Sequence, residues 1–200
     1  MNGVILAGGQ ARRMGGGDKP LITLAGRTLL ARVIERVRPQ VAALALSANG
    51  DPVRFAGFGL PVIVDSVPGS VGPLAGVLAG MDWSRHHHPE CRWLISVAGD
   101  TPLVPTDLVA RLLAAVEREG AEVACAFSAG RIHPAVALWP VAAAEILRHT
   151  LVVEGQRRVE AFAGRFRRTV VEWPVETVDP FVNLNTPQDV AALAAGFSFP

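Results

Sequence analysis

Residues 3–20, GVILAGGQARRMGGGDKP, join a short apolar run to a glycine-rich loop. An apolar segment of strand length that breaks into glycines is the pattern of a strand covered on both faces and emerging at the edge of a parallel sheet. The rest of the chain keeps that rhythm. β-type runs recur at 41–47, 61–64, 93–97, 123–127 and 135–138, and amphipathic helical patterns fill 29–37, 74–82, 107–119 and 141–149. The alternation predicts an α/β fold: a single three-layer domain over residues 1–200, its mostly parallel sheet flanked by helices on both faces, Rossmann-like in arrangement. A last helix is predicted at 187–195, because Thr186 can cap it, Pro187 suits its first position and Asp189 sits near the positive end of its dipole.

Composition narrows the function classes. Half of the 200 residues are hydrophobic, 18% are charged and the formal net charge is +1, which predicts neither disorder nor an electrostatic grip on nucleic acid. No stretch reaches the roughly 18 to 20 apolar residues of a membrane-spanning helix, and no signal-type leader precedes the first strand, so a cytoplasmic protein without membrane attachment is expected. The two cysteines, Cys91 and Cys125, have neither CxxC spacing nor the density of a disulfide framework. Of the 19 basic residues, Lys19 is the only lysine, and it stands inside the glycine-rich loop. An ammonium and a planar guanidinium are not equivalent there.

The loop points to phosphate. Consecutive glycines let main-chain N–H groups converge on phosphate oxygens, and nearby cations complete the cradle. It is not a Walker loop, since Pro20 follows Lys19 where a hydroxyl is needed, and it lacks the GxGxxG spacing of dinucleotide sites. Asp100, just after the buried run 93–97, is expected to emerge at the sheet edge as an oxygen ligand for magnesium, with capping of the next turn as the alternative. Asn49 and Asp65 follow two further strand-like runs. They can read a nucleoside, because a carboxylate accepts from guanine N–H groups or ribose hydroxyls and an amide does both; Asn49 is equally a turn former.

Three other features carry two readings or a bland one. Residues 155–170 carry Arg157, Arg158, Arg165, Arg167 and Arg168, which read either as a helix with a solvated basic face or as an anion-binding edge. The histidines 86–88 read as surface loop. His133 reads as ordering an adjacent loop or filling a strand end, without a catalytic part.

The segment 6–20 resembles the LAGGxxxRMGxxK signature of nucleotidyltransferases, and its RRMGGxDK form resembles the molybdenum cofactor guanylyltransferases. The resemblance continues in order through SAN (47–49), VDS (64–66), GPLAGV (72–77), GDTPLVP (99–105), HPAVAL (133–138) and FVNLNTPQDV (181–190). One departure is Gly99, where relatives often carry cysteine. The resemblance implies transfer of GMP from GTP to the phosphate of molybdopterin with Mg2+, and transient contact with molybdoenzymes or their chaperones. It implies Arg13, Lys19 and Asp100 as catalytic residues, with Asp100 holding the metal. Leu6, Ala7, Gly8, Gly9, Lys19, Asn49, Asp65 and Asp100 would bind the nucleotide, and Arg157, Asn183 and Asn185 the acceptor. A related cytidylyltransferase or sugar-phosphate nucleotidyltransferase, and a noncatalytic carrier, are the alternatives.

Overall fold

The apolar run that opens the chain forms β1 (Asn2–Leu6), which pairs in parallel with β4 (Ala43–Ser47) on one side and β6 (Trp93–Ala98) on the other. Outside β4 lies β5 (Val62–Ile63); beyond β6 come β8 (Arg131–Pro140), β7 (Val123–Ser128) and β9 (Arg168–Glu172). The sheet order is therefore β5-β4-β1-β6-β8-β7-β9, and within it only β8 runs against its neighbours. A small hairpin, β2 (Thr23–Leu24) and β3 (Arg27–Thr28), stands apart. The structure, a computed structural model, describes residues 1–8, 18–67 and 72–196.

Alternation along the strands builds the three layers. Ile5, Ile95, Val97, Ala124, Ala126, Val136 and Leu138 face one core, which α1 (Leu29–Val37) and α3 (Leu108–Glu119) cover. Their neighbours Val4, Leu94, Val123, Cys125, Ala137 and Trp139 face the other, beneath α2 (Pro73–His87), α4 (Ala144–Val152) and α5 (Val159–Ala163). Because the interior strands are covered on both sides, their sequences are mostly apolar, as the first run suggested, although β8 begins with the less buried Arg131 and His133. The last helix, α6 (Pro187–Gly196), starts as expected: Asp189 N–H donates to Thr186 Oγ1 at 3.1 Å, and Thr186 N–H donates back to Asp189 Oδ2 at 2.8 Å.

Helix α2 lies unusually close to the sheet. A Cβ on Gly80 would stand 2.9 Å from Val4 Cβ, and one on Gly76 would stand 2.6 Å from Ser47 Oγ. Gly80→Ala should therefore destabilise the fold by about 1–2 kcal/mol, overpacking outweighing the helix propensity gained. Urea unfolding checks this, and an unchanged midpoint would show that the helix can lift off freely.

Two expectations need correction. The histidines are not loop: α2 runs through His87, and the exposed His86 and His87 form its last turn. Trp83 packs against His88, ring centroids 5.2 Å apart, which holds that turn together. Residues 155–170 are not one basic helix either. They contain the short α5 and the start of β9, whose Thr169, Val170 and Val171 pair in parallel with β7. Neutralisation by acids removes much of the basic face, since Arg165 Nη1 donates to Glu154 Oε1 at 2.9 Å and Arg167 pairs with Glu122 at 3.6 Å. Both cysteines are free and buried, and burial pushes the Cys125 thiol up to about 11, so it is no nucleophile. No helix among the described residues is long and apolar enough to cross a membrane.

Candidate active site

Strands β1, β4, β5 and β6 all end at one edge, and the chain order reverses beside β1, with β4 and β5 laid on one side of it before β6 returns on the other. A crevice at such a reversal is where open parallel sheets hold ligands. Here it is a cavity of about 320 Å³. Leu6, Gly8 and Lys19 line it from the first strand and loop, Asn49 and Asp65 from the β4 and β5 ends, Asp100 and Asn183 from the opposite side. Gly72, Pro73 and Gly76 of the α2 start close it, and the absent side chain of Gly76 lets the wall approach Ser47. A second depression of about 370 Å³ around Trp173 contains none of the candidate residues.

Lys19 and Asp100 meet directly. Lys19 follows the glycine loop in a single helical turn, and its side chain is nearly buried, so the ammonium needs partners. It finds the Asp100 carboxylate, and also Asn185 Oδ1 at 2.6 Å. Gly99 sits close behind the pair: its N–H donates to Leu6 O at 3.0 Å, and a Cβ there would press on Leu6 O and Pro20 Cγ, each at 3.2 Å. Asp100 Oδ2 is engaged by Lys19, and its second oxygen has no hydrogen-bond partner among the described residues. No group of three or more potential His, Cys, Asp or Glu ligands occurs among those residues. A lone carboxylate facing a phosphate-sized space suits a hard divalent cation whose remaining ligands are phosphate and water.

At the other end Asn49 and Asp65 hold each other: Asn49 Nδ2 donates to Asp65 Oδ2 at 2.6 Å, and Asp65 N–H donates to Asn49 Oδ1 at 3.1 Å. The turn-forming alternative for Asn49 falls to its neighbours. Gly50 supplies the positive φ, +86°, and Asp51 caps the next turn by accepting from Val53 N–H at 2.9 Å. Asn49 is thereby left to orient the Asp65 carboxylate.

Asn183 and Asn185 approach from the segment before α6. Thr101, buried beside Asp100, donates to Asn183 Oδ1 at 2.9 Å, while Asn185 reaches Lys19. The segment is anchored at Asp179, which accepts from Ser128 Oγ at 2.5 Å, Phe181 N–H at 2.9 Å and Arg131 at 3.2 Å. Burial alone would raise the Asp179 carboxyl; these donors bring it below the usual range. His133 shares Ser128 Oγ at 2.7 Å and packs against Phe181, centroids 4.9 Å apart, so it helps to order this segment. Burial, opposed by Asp179, lowers the imidazole below its ordinary value, which keeps it neutral at pH 7. The strand beside it is bulged: β7 passes from Cys125 to Ala126 while its partner jumps from Ala137 to His133, and within that jump Ala135 lines the cavity.

Of the other candidates, Ala7 is buried behind the wall, donating to Ser47 O at 2.8 Å, and Arg157 is exposed between α4 and α5, away from the cavity lining. Gly9 and Arg13 lie outside the described residues.

The family model described as the MobA-like NTP transferase domain matches residues 3–171. The chain belongs to that family. Among curated MobA-like relatives, the molybdenum cofactor guanylyltransferase of Rhodopseudomonas palustris (strain BisB5) is 57% identical over 94% of this chain and 90% of its own. That of Acidiphilium cryptum (strain JF-5) is 50% identical over 98% and 95%. Solved structures agree on the fold. Molybdopterin-guanine dinucleotide biosynthesis protein A from Archaeoglobus fulgidus superposes with a TM-score of 0.73 at 24% identity, covering 98% of this chain and 97% of that one. A 4-diphosphocytidyl-2C-methyl-D-erythritol synthase from Anaerococcus prevotii reaches the same TM-score at 12% identity, covering 97% and 94%. The MobA-like architecture by itself therefore does not choose the base.

Within this MobA-like site, sequence reading missed Thr101, Ser128 and Asp179. Thr101 adjoins Asp100 and could have been found by asking what a buried hydroxyl would bond. Ser128 and Asp179 bond to each other across 51 residues, and no local pattern marks them.

Proposed function

We propose that the chain transfers GMP from GTP to the phosphate of molybdopterin, giving the guanine dinucleotide cofactor and pyrophosphate. The observation that carries this reading is the convergence of Lys19 and Asp100 at one end of a cavity whose other end presents the paired Asn49 and Asp65. Guanine offers a ring N–H and an amino group side by side, and a carboxylate with several free lone pairs accepts both; cytosine offers only the amino group along its pairing edge.

An acceptor phosphate oxygen bonds to the α-phosphorus, and the bond to the bridging oxygen breaks, so pyrophosphate leaves with the electron pair. A phosphate monoester is already ionised near neutral pH, which is why the site needs no general base. Lys19 would hold the polyphosphate against the departing charge, and Asn183 and Asn185 would align the acceptor opposite the leaving group. Mg2+, taken up by Asp100 together with phosphate oxygens and water, would offset the charge developing on the leaving pyrophosphate. Arg13 is assigned a second phosphate contact and Arg157 an outer contact to the acceptor. Residence in the reducing cytoplasm and hand-over of the product to molybdoenzymes or their chaperones belong to the same reading.

Pyrophosphate release tests it. With molybdopterin and magnesium, GTP should be turned over at least tenfold faster than CTP, ATP or UTP, the discrimination that one or two unmatched hydrogen bonds provide, about 1–3 kcal/mol. Faster turnover of CTP would assign the chain to a cytidylyltransferase, and binding of GTP without pyrophosphate release would make it a carrier.

A further inference from the structure

We infer that Arg54, outside the cavity, is a positioning residue that sets the distance between the phosphate end and the base end of the nucleotide site. It lies in the helical turns Pro52–Phe58 that follow β4, and its guanidinium rests over the buried Phe55 ring, 4.9 Å from the centroid. From there it reaches in two directions. Nε pairs with Asp18 Oδ2 at 3.1 Å, and Nη2 donates to the Asn49 carbonyl. Asp18 is the residue before Lys19, and Asn49 is the residue that orients Asp65. One planar group thus ties the returning end of the glycine loop to the base-reading pair. Arg54 does not line the cavity, whereas Lys19, Asn49 and Asp65 do, so it acts through them.

Two physical properties make arginine suited to this place. Its fork donates along two fixed directions at once, which a lysine cannot do from the same stem. Its charge also offsets the Asp18 carboxylate, which would otherwise stand uncompensated beside the binding place of a polyphosphate and compete for Lys19. Gly50 leaves the room required: a Cβ there would lie 3.2 Å from Arg54 Nη1.

The inference rests on the cavity being a nucleotide site, and the test separates the two. Binding of magnesium GTP is measured by calorimetry, and KM for GTP, KM for molybdopterin and kcat by pyrophosphate release, for wild type, Arg54→Met, Arg54→Lys, Asp18→Asn and the Arg54→Met, Asp18→Asn double variant. Arg54→Met should raise Kd and KM for GTP about tenfold, the scale of one charge-assisted pair, with kcat and KM for molybdopterin within about twofold. Arg54→Lys keeps the charge and the packed stem, so it should fold as wild type and still raise KM for GTP by roughly threefold or more. The double variant should be no worse than Arg54→Met, because the charge left exposed has been removed. Wild-type affinity in Arg54→Lys or Arg54→Met, or a double variant that binds GTP more weakly than Arg54→Met, would overturn the role of Arg54. Wild type failing to bind magnesium GTP would overturn the site itself.

Discussion

Asp100→Asn should lower kcat/KM by roughly three orders of magnitude, about 4 kcal/mol of lost transition-state stabilisation, in line with the several kcal/mol that a metal ion on a transferring phosphoryl group provides. Asparagine keeps the shape and one acceptor oxygen, so the contact with Lys19 can persist as a weaker hydrogen bond. What disappears is the negative charge, and with it the hold on a divalent cation. The pair is largely shielded from water, with side chains 11% and 16% exposed, so the variant also leaves a less compensated ammonium. Circular dichroism and the unfolding midpoint separate this cost from the catalytic one: the fold should be retained while pyrophosphate release collapses. A rate within tenfold of wild type would remove Asp100 from the chemistry.

Lys19→Ala should cost about 10²- to 10³-fold in kcat/KM, the magnitude associated with removing one preorganised charge aimed at a developing oxyanion. Its geometry makes a further demand. The ammonium occupies a nearly buried point where it contacts Asp100 and, at 2.6 Å, Asn185 Oδ1, and a flat guanidinium cannot fill that point in the same way. Lys19→Arg should therefore recover less than a tenth of the lost rate despite keeping the charge. Recovery to near wild type would show that the site uses only net charge and that the tight seat of Lys19 has no catalytic consequence.

Much of the architecture was legible because its causes are local. The runs that became β1, β4, β6 and β7 are mostly apolar, which follows from two covering layers, and Thr186, Pro187 and Asp189 announce α6 through bonds within one turn. Lys19 stood out as the only lysine, set inside the glycine-rich loop, and Asp100 because it sits where a strand hands over to a loop. β9 was hidden because its β-branched Thr169, Val170 and Val171 follow a dense run of arginines, and the strand exists only by pairing with β7. The His86–His88 helical turn escaped because its support comes from Trp83 rather than from local propensity. Within the site, the mutual grip of Asn49 and Asp65 and the reach of Arg54 to Asp18 join separate segments, and nothing short of a folded chain brings those partners together.

The reversed strand β8 has a consequence for how such a site can change. Since β8 starts, rather than finishes, at the ligand edge, the tight turn at Ala129 and Gly130 lies at that edge, and the irregular pairing behind it separates the overhang from the strictly registered half that ends at Pro140. Residues lost or gained in the overhang would be absorbed at the irregularity instead of sliding the whole strand. The loop edge beside β8 can thus change in length while β1, β4 and β5, built on the other side of the crevice, keep their register.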